Sequence, residues 1–168
     1  MRRLVGKGYA TSISTALDAL PTWLSDELRA VPFFCGVDPV FAGLHDFTCS
    51  DDGRNYASTA HVVYPEHLTH RPRNERQATI VLPEVESPWV VIHELGHILH
   101  ERLGFPPAPE PVTGYAATNV FEAFAEAFTM AHVPGYAPWD VSRARLATYK
   151  MRYPRLAPYF ERRKSPCL

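Results

Sequence analysis

Ser87-Pro88-Trp89-Val90-Val91-Ile92-His93-Glu94-Leu95-Gly96-His97-Ile98-Leu99-His100-Glu101-Arg102-Leu103-Gly104 is the stretch on which the reading of this chain turns. Ser87 stands where an N-cap is wanted, Pro88 suits the first helical position, and Gly104 supplies a left-handed terminator, so a helix is predicted over 88–103. Inside it, His93-Glu94-Leu95-Gly96-His97 forms an H-E-x-x-H pattern. Residues four apart are one helical turn apart, so both imidazoles leave the same face and can share one Zn²⁺. Glu94 lies beside that face, where a carboxylate can take a proton from an attacking water and pass it to a leaving amine. The bland alternative is a helix with two histidines and a glutamate among exposed positions. Val90-Val91-Ile92 and Ile98-Leu99 argue against it, because they bury most of the helix and leave imidazoles that need partners.

A catalytic zinc takes three protein ligands and keeps a fourth position open. The metzincin extension, with Gly three and a ligand six residues after the second His, is absent: His100 and Leu103 stand there. Glu122 and Glu126 lie four apart on a helix predicted over 119–131 and share one face. A carboxylate from a following helix completes the His₂Glu site of thermolysin-like zincins, and a second carboxylate can receive the other ring N–H of a ligand histidine. Asn119-Val120-Phe121-Glu122 also reads as a capping box with Glu122 at its third position. The upstream H-E-x-x-H favours the ligand role.

The 168 residues suit a single domain, 1–168, and carry 17 Lys plus Arg against 18 Asp plus Glu, a net charge of −1. That balance offers no field for gripping nucleic acid, and no apolar run reaches the ~20 residues of a membrane span. The basic residues Arg152, Arg155, Arg162, Arg163 and Lys164 read as solvated helix surface. The N-terminus lacks the apolar core of a secretion signal, so the cytoplasm is the default expectation. Cys35, Cys49 and Cys167 show no C-x-x-C spacing, although a Cys35–Cys49 bridge stays open.

Ahead of the motif, an apolar stripe of Leu17, Leu20, Trp23, Leu24 and Leu28 predicts two helical pieces over 12–30, divided at Pro21. Short strands are expected at 31–37, 56–64 and 78–82, with turns such as 51–55 and 67–76 between them. The last of these strands precedes the motif helix. Both an edge position that pairs with an extended substrate and an ordinary inner position are open for it. Beyond the motif, Pro106, Pro107, Pro109 and Pro111 stiffen 105–113, which reads as a rigid connection with one wall of the cleft as the alternative, and helices are expected at 139–153 and 155–163. The 16 prolines fit short elements and stiff loops. His100 and His132 are expected at helix surfaces or ends, with no ligand role. The class is α+β, a small early sheet followed by a helical half.

Gly114-Tyr115-Ala116-Ala117-Thr118-Asn119-Val120-Phe121-Glu122-Ala123-Phe124-Ala125-Glu126-Ala127-Phe128 resembles the Y-x-x-T-N-x-x-E-x-F-A-E-A-F signature of the anthrax lethal factor metallopeptidase domain and the related secreted Pro-Pro endopeptidases. With the H-E-x-x-H helix, the resemblance covers residues 89–132. It implies a zincin-like (gluzincin) fold with His93, His97 and Glu122 as zinc ligands and Glu94 as general base. It also implies Tyr115 as the hydroxyl that steadies the oxyanion and Glu126 as partner of a ligand histidine. The chain departs from that family in showing no signal peptide or translocation domain and in a shorter spacer before Glu122, so substrate preference does not carry over.

The expected activity is zinc-dependent endopeptidase action on a protein or peptide substrate. One alternative is an intracellular regulatory zincin of the phage-repressor-cleaving type, whose shorter E-x-x-A-x-x-F pattern Glu122, Ala125 and Phe128 also fit. Another is an inactive, zinc-stabilised interaction domain. No nucleic acid and no membrane insertion are expected. Oligomeric state, and a toxin, regulatory or phage-encoded role, are left open.

Overall fold

The computed structural model describes residues 7–36, 60–67, 76–136 and 141–163. Helices α1 (Lys7–Ala19) and α2 (Thr22–Leu28) are divided at Pro21, as the sequence predicts. Leu17, Leu20, Leu24 and Leu28 enter the core. Trp23 does not: Leu24 and Leu28 occupy the inner face of the short α2, which turns Trp23 to the rim, where its ring meets Tyr159 at 5.3 Å.

Strands β1 (Phe33–Cys35), β2 (His61–Val63) and β3 (Thr79–Leu82) form a three-stranded sheet in the order β1-β3-β2. β1 runs parallel to β3 with Phe33 opposite Ile80, and β2 runs antiparallel to it with Val62 opposite Ile80. All four residues of β3 are buried. The strand expected at 78–82 is therefore an inner strand, both edges used in pairing, and the edge role considered for it is corrected. β2 is the strand that borders the site. Residues 56–59 of the strand expected there, the 51–55 turn, most of the 67–76 turn, Cys49, Cys167, Trp139 and Lys164 lie outside the described residues.

Helix α3 (Pro88–Arg102) follows its predicted bounds closely. Ser87 has the extended backbone of an N-cap, but its side chain makes no capping bond. At the other end, Gly104 N–H donates to Glu101 O at 2.8 Å and Phe105 N–H to His100 O at 2.9 Å, with Gly104 at φ 73°. This reversal satisfies the last carbonyls of the helix. Every residue from Val91 to His100 is buried, between α1, the sheet and helix α4 (Val120–His132).

The α3–α4 pair is the most extensively packed in the fold. A Cβ on Gly96 would lie 3.0 Å from the Ala125 Cα and 3.3 Å from the Phe128 Cβ. Two backbones approach this closely only where one carries no side chain. Around the crossing, Val91, Leu95, Ile98, Phe124, Ala127 and Phe128 complete the core.

Of the helix expected at 139–153, the described residues form α5 (Ser142–Arg152), whose role is chiefly to hold the proline-rich connection. Ser142 Oγ donates to Val112 O at 2.6 Å, Tyr149 OH to Pro107 O at 2.7 Å, and Arg145 Nη1 to Pro111 O. The helix expected at 155–163 is one 3₁₀ turn, Ala157–Phe160, because Pro158 removes a donor that a longer helix would need. Among the described residues no helix is long and apolar enough to cross a membrane.

His100 and His132 are not at the surface but in the core. The His100 ring stacks on Phe124 at 4.3 Å with Nε2 2.9 Å from Pro106 O, and His132 Nε2 lies 2.9 Å from Tyr159 O. Each Nε2 donates to a carbonyl, and each Nδ1 is buried with no hydrogen-bond partner among the described residues. Both rings are thus held neutral. Burial drives both pKa values down despite the carbonyl contacts, that of His132 from 6.5 to about 4.

Two expectations follow. Gly96→Ala gains about 1 kcal/mol of helix propensity but loses about 1–3 kcal/mol to overpacking at the Ala125 backbone. Thermal unfolding should show a net loss, and an unchanged or raised melting temperature would contradict the close crossing. For His132, the folded protein holds the neutral form, so its contribution is complete above pH 6.5 and is lost as pH falls toward about 4. The loss is on the order of 3 kcal/mol. His132→Gln, which keeps a donor for Tyr159 O, should flatten urea-midpoint loss between pH 7 and 5; identical acid sensitivity would count against this assignment.

Candidate metal centre and its cleft

The i, i+4 spacing on α3 brings His93 Nε2 and His97 Nε2 to 3.1 Å. From α4, Glu122 Oε2 approaches His93 Nε2 at 3.0 Å and His97 Nε2 at 3.4 Å. Donor atoms of these three residues all lie within 4.8 Å of one another, and the group could hold a metal ion. A tetrahedral ion with bonds of about 2.0–2.2 Å spaces its donors by roughly 3.3–3.6 Å, within a few tenths of an ångström of the 3.0, 3.1 and 3.4 Å separations here.

Electrostatics point the same way. Burial alone would lower the His93 pKa, yet the hydrogen bond to Glu122 and the close contact with Glu126, aided by the charges of Glu94 and Glu122, lift it to about 10. Glu122 shows the counterpart: burial pushes its carboxyl up, and the bonds to His93 and His97 hold it well below the ordinary carboxylate range. The cluster demands positive charge at its centre. A proton on His93 meets that demand, and a divalent cation among the three donors meets it better.

Asn119 has the extended backbone of an N-cap, and its Oδ1 accepts from Phe121 N–H at 2.9 Å and Glu122 N–H at 3.0 Å. The two readings of Asn119-Val120-Phe121-Glu122 are thus divided between its ends. Asn119 caps α4, and the Glu122 side chain turns to the imidazoles.

Glu126, one turn further along, is buried and serves three neighbours. Its Oε1 lies 3.0 Å from His93 Nδ1, a close ionic contact that falls short of a straight hydrogen bond. Thr113 Oγ1 donates to Oε2 at 2.6 Å, and Tyr136 OH donates to both oxygens, at 2.8 Å and 3.0 Å. These contacts outweigh burial and depress the Glu126 pKa, while the Tyr136 phenol is raised, first by burial and then by Glu126. An ionised Glu126 beside Nδ1 leaves Nε2 of His93 as a lone-pair donor toward Glu122 and His97.

Tyr115 opens a 3₁₀ turn, Tyr115–Ala117, that stands beside the donors. Its ring is 48% exposed and centred 5.9 Å from the His93 ring. Thr113 Oγ1 accepts from Ala116 N–H at 2.9 Å, so one hydroxyl joins Glu126 to the turn that carries Tyr115. Glu94 is buried at the mouth of the site and makes no hydrogen bond or ion pair among the described residues.

Two cavities, of about 230 and 400 Å³, share Ala60, His93, Glu94 and Tyr115. The smaller extends past His97 and Glu122 to Val62, Tyr64 and Phe121; the larger runs between Trp89, Val90 and Tyr136 toward Glu86. None of residues 105–113 lines either cavity, so that segment acts as a connection rather than a cleft wall.

All six residues singled out in the sequence, His93, Glu94, His97, Tyr115, Glu122 and Glu126, meet here. Sequence reasoning missed Thr113 and Tyr136. Thr113 stands two residues before Tyr115 in an ordinary polar turn. Tyr136 follows the Pro134-Gly135 reversal, whose glycine sits at φ 79°. That glycine was the one local hint that the chain turns back toward α4.

Thr113→Val removes a donor to Glu126 and an acceptor for Ala116 N–H in one step, and should cost about 1–3 kcal/mol. Thr113→Ser should restore most of that stability. Equal melting temperatures for the Val variant and the parent would show the bridge to be idle.

No protein-family model, curated protein or solved structure matches this chain, so the chemistry of the site rests on its donor set and distances.

Proposed function

We propose that this chain is a zinc-dependent endopeptidase with a zincin-like fold, similar in its site to the lethal factor and Pro-Pro endopeptidase domains. The observation that carries the proposal is the convergence of His93, His97 and Glu122 on one point beside a buried Glu94 that has no hydrogen bond or ion pair among the described residues. Two imidazoles and one carboxylate are a donor set suited to catalytic Zn²⁺. When bound, zinc supplies Lewis acidity, polarising a carbonyl oxygen and making water a nucleophile near neutral pH.

The remaining steps belong to the chain. Glu94 accepts the proton of the attacking water and returns it to the nitrogen of the broken peptide bond, so that the amine leaves neutral. Tyr115 donates its phenolic hydrogen to the carbonyl oxygen as negative charge grows there, a contribution of roughly 10²–10³ in rate. Glu126 fixes the His93 ring. Cavities that meet at Glu94 and Tyr115 favour an enzyme over a zinc-stabilised interaction module, which has no use for a reachable base.

Elemental analysis should find about one zinc per chain, and Glu122→Ala should lose it. Glu94→Gln should keep the metal and the fold but lose peptide hydrolysis by a factor of about 10³ or more. Absence of zinc after incubation with the ion would sink the proposal, as would undiminished hydrolysis by the Glu94 variant.

A further inference from the structure

The smaller cavity ends in a wall that neither metal binding nor proton transfer requires. Tyr64 and Phe121 line it beside His97 and Glu122. Behind them stands Phe105, its ring 5.5 Å from Phe121, 6.3 Å from Tyr64 and 5.3 Å from His100, all edge-to-face.

Phe105 has a φ of 54° and is the one residue other than glycine with positive φ among those described. A bulky side chain in the left-handed region is disfavoured and persists only where its surroundings impose it. Ending α3 does not explain the conformation, because Gly104 already makes the left-handed reversal and satisfies the helix carbonyls. What the conformation provides is the placement of the ring against Tyr64 and Phe121.

That placement is not ordinary core packing. Phe105 remains 45% exposed and Phe121 43% exposed, and Val120 beside it is exposed as well. Val120 and Phe121 stand as exposed apolar side chains in the first turn of α4, just ahead of the acidic Glu122. A cluster of partly exposed apolar side chains beside a cleft marks a binding surface.

We infer that Tyr64 and Phe121, braced by Phe105, form an aromatic platform that selects substrates, taking a peptide with a large aromatic or branched aliphatic side chain on the β2 side of the bond cleaved. The inference rests on the endopeptidase reading for its substrate class. The geometry leaves room for no more than one side chain beside the donors: the cavity of about 230 Å³, which also includes the space before His93, His97 and Glu122, is smaller than the pockets that hold whole small molecules. Rings already arranged edge-to-face accept a further ring in the same manner. Asn119, the polar residue next to Phe121 on this wall, spends its side-chain oxygen on the cap of α4. Phe105 acts as a positioning residue, bracing the two rings that touch the substrate.

Binding can be measured apart from turnover in zinc-incubated Glu94→Gln protein, with fluorescein-labelled octapeptides of Ala and Ser carrying Phe, Leu, Lys or Glu at each position in turn. At one position Phe and Leu should bind at least tenfold more tightly than Ala. Phe121→Ala and Phe105→Ala should reduce that ratio to threefold or less while zinc content is unchanged. Phe105→Gly, which accepts the left-handed backbone, should also lose the ratio without a fall in melting temperature, separating platform from folding. Preference for a charged residue, no positional preference, no binding at all, or a ratio unmoved in the Phe105 variants overturns the inference. A Phe preference with no hydrolysis by the parent protein would count against the peptidase reading alone. Hydrolysis without the preference would count against the platform alone.

Discussion

The approach of α4 to α3 at Gly96 is the constraint on which the rest of the site depends. With a Cβ position 3.0 Å from the Ala125 backbone, a side chain at position 96 would press the two helices apart. Ala125 lies between Glu122 and Glu126, so the close crossing sets the reach of both carboxylates. A glutamate on a helix packed at the usual 8–10 Å axial distance over larger side chains would not bring Oε2 within 3.0–3.4 Å of two imidazoles. Glycine inside the motif therefore acts through packing, although it touches no donor atom.

Bringing these groups together is costly before anything binds. Three carboxylates, Glu94, Glu122 and Glu126, gather around His93 and His97 in a setting where burial disfavours charge. The fold offsets that cost by supplying Glu126 with two hydroxyl donors, Thr113 and Tyr136, besides the His93 ring. Glu122 and Glu94 receive no such hydroxyls among the described residues. The carboxylate that is fully satisfied is the one that orients the His93 ring. The two less satisfied ones line the cleft.

Legibility in the sequence followed the range of the interaction. His93 with His97 and Glu122 with Glu126 are pairs within one helix, and a helical period places each on a common face without knowledge of the rest of the chain. The cap at Asn119 and the end of α3 at Gly104 are equally local. What escaped depended on chain segments meeting from a distance. β3 reads as a short apolar run whether it lies at an edge or inside, and only its pairing with both β1 and β2 decides. His100 and His132 carry a polar type into the core because carbonyls of Pro106 and Tyr159 happen to arrive there. Tyr136 reaches Glu126 only after a turn whose direction no periodicity encodes.

The role of α5 follows from the same distinction between local and distant order. Its surface is largely polar, and few of its residues enter the core. Its inward side chains instead hold carbonyls of the proline-rich connection, from Pro107 to Val112, while His100 of α3 holds that of Pro106. Prolines lack the N–H that would pair such a segment into a sheet, so their carbonyls must find donors from side chains. A connection tied at four carbonyls delivers Thr113 to one place, and Thr113 delivers the turn of Tyr115 to another. The reach of a half-exposed tyrosine toward the donors is thus determined by a helix that contributes no residue to the cleft.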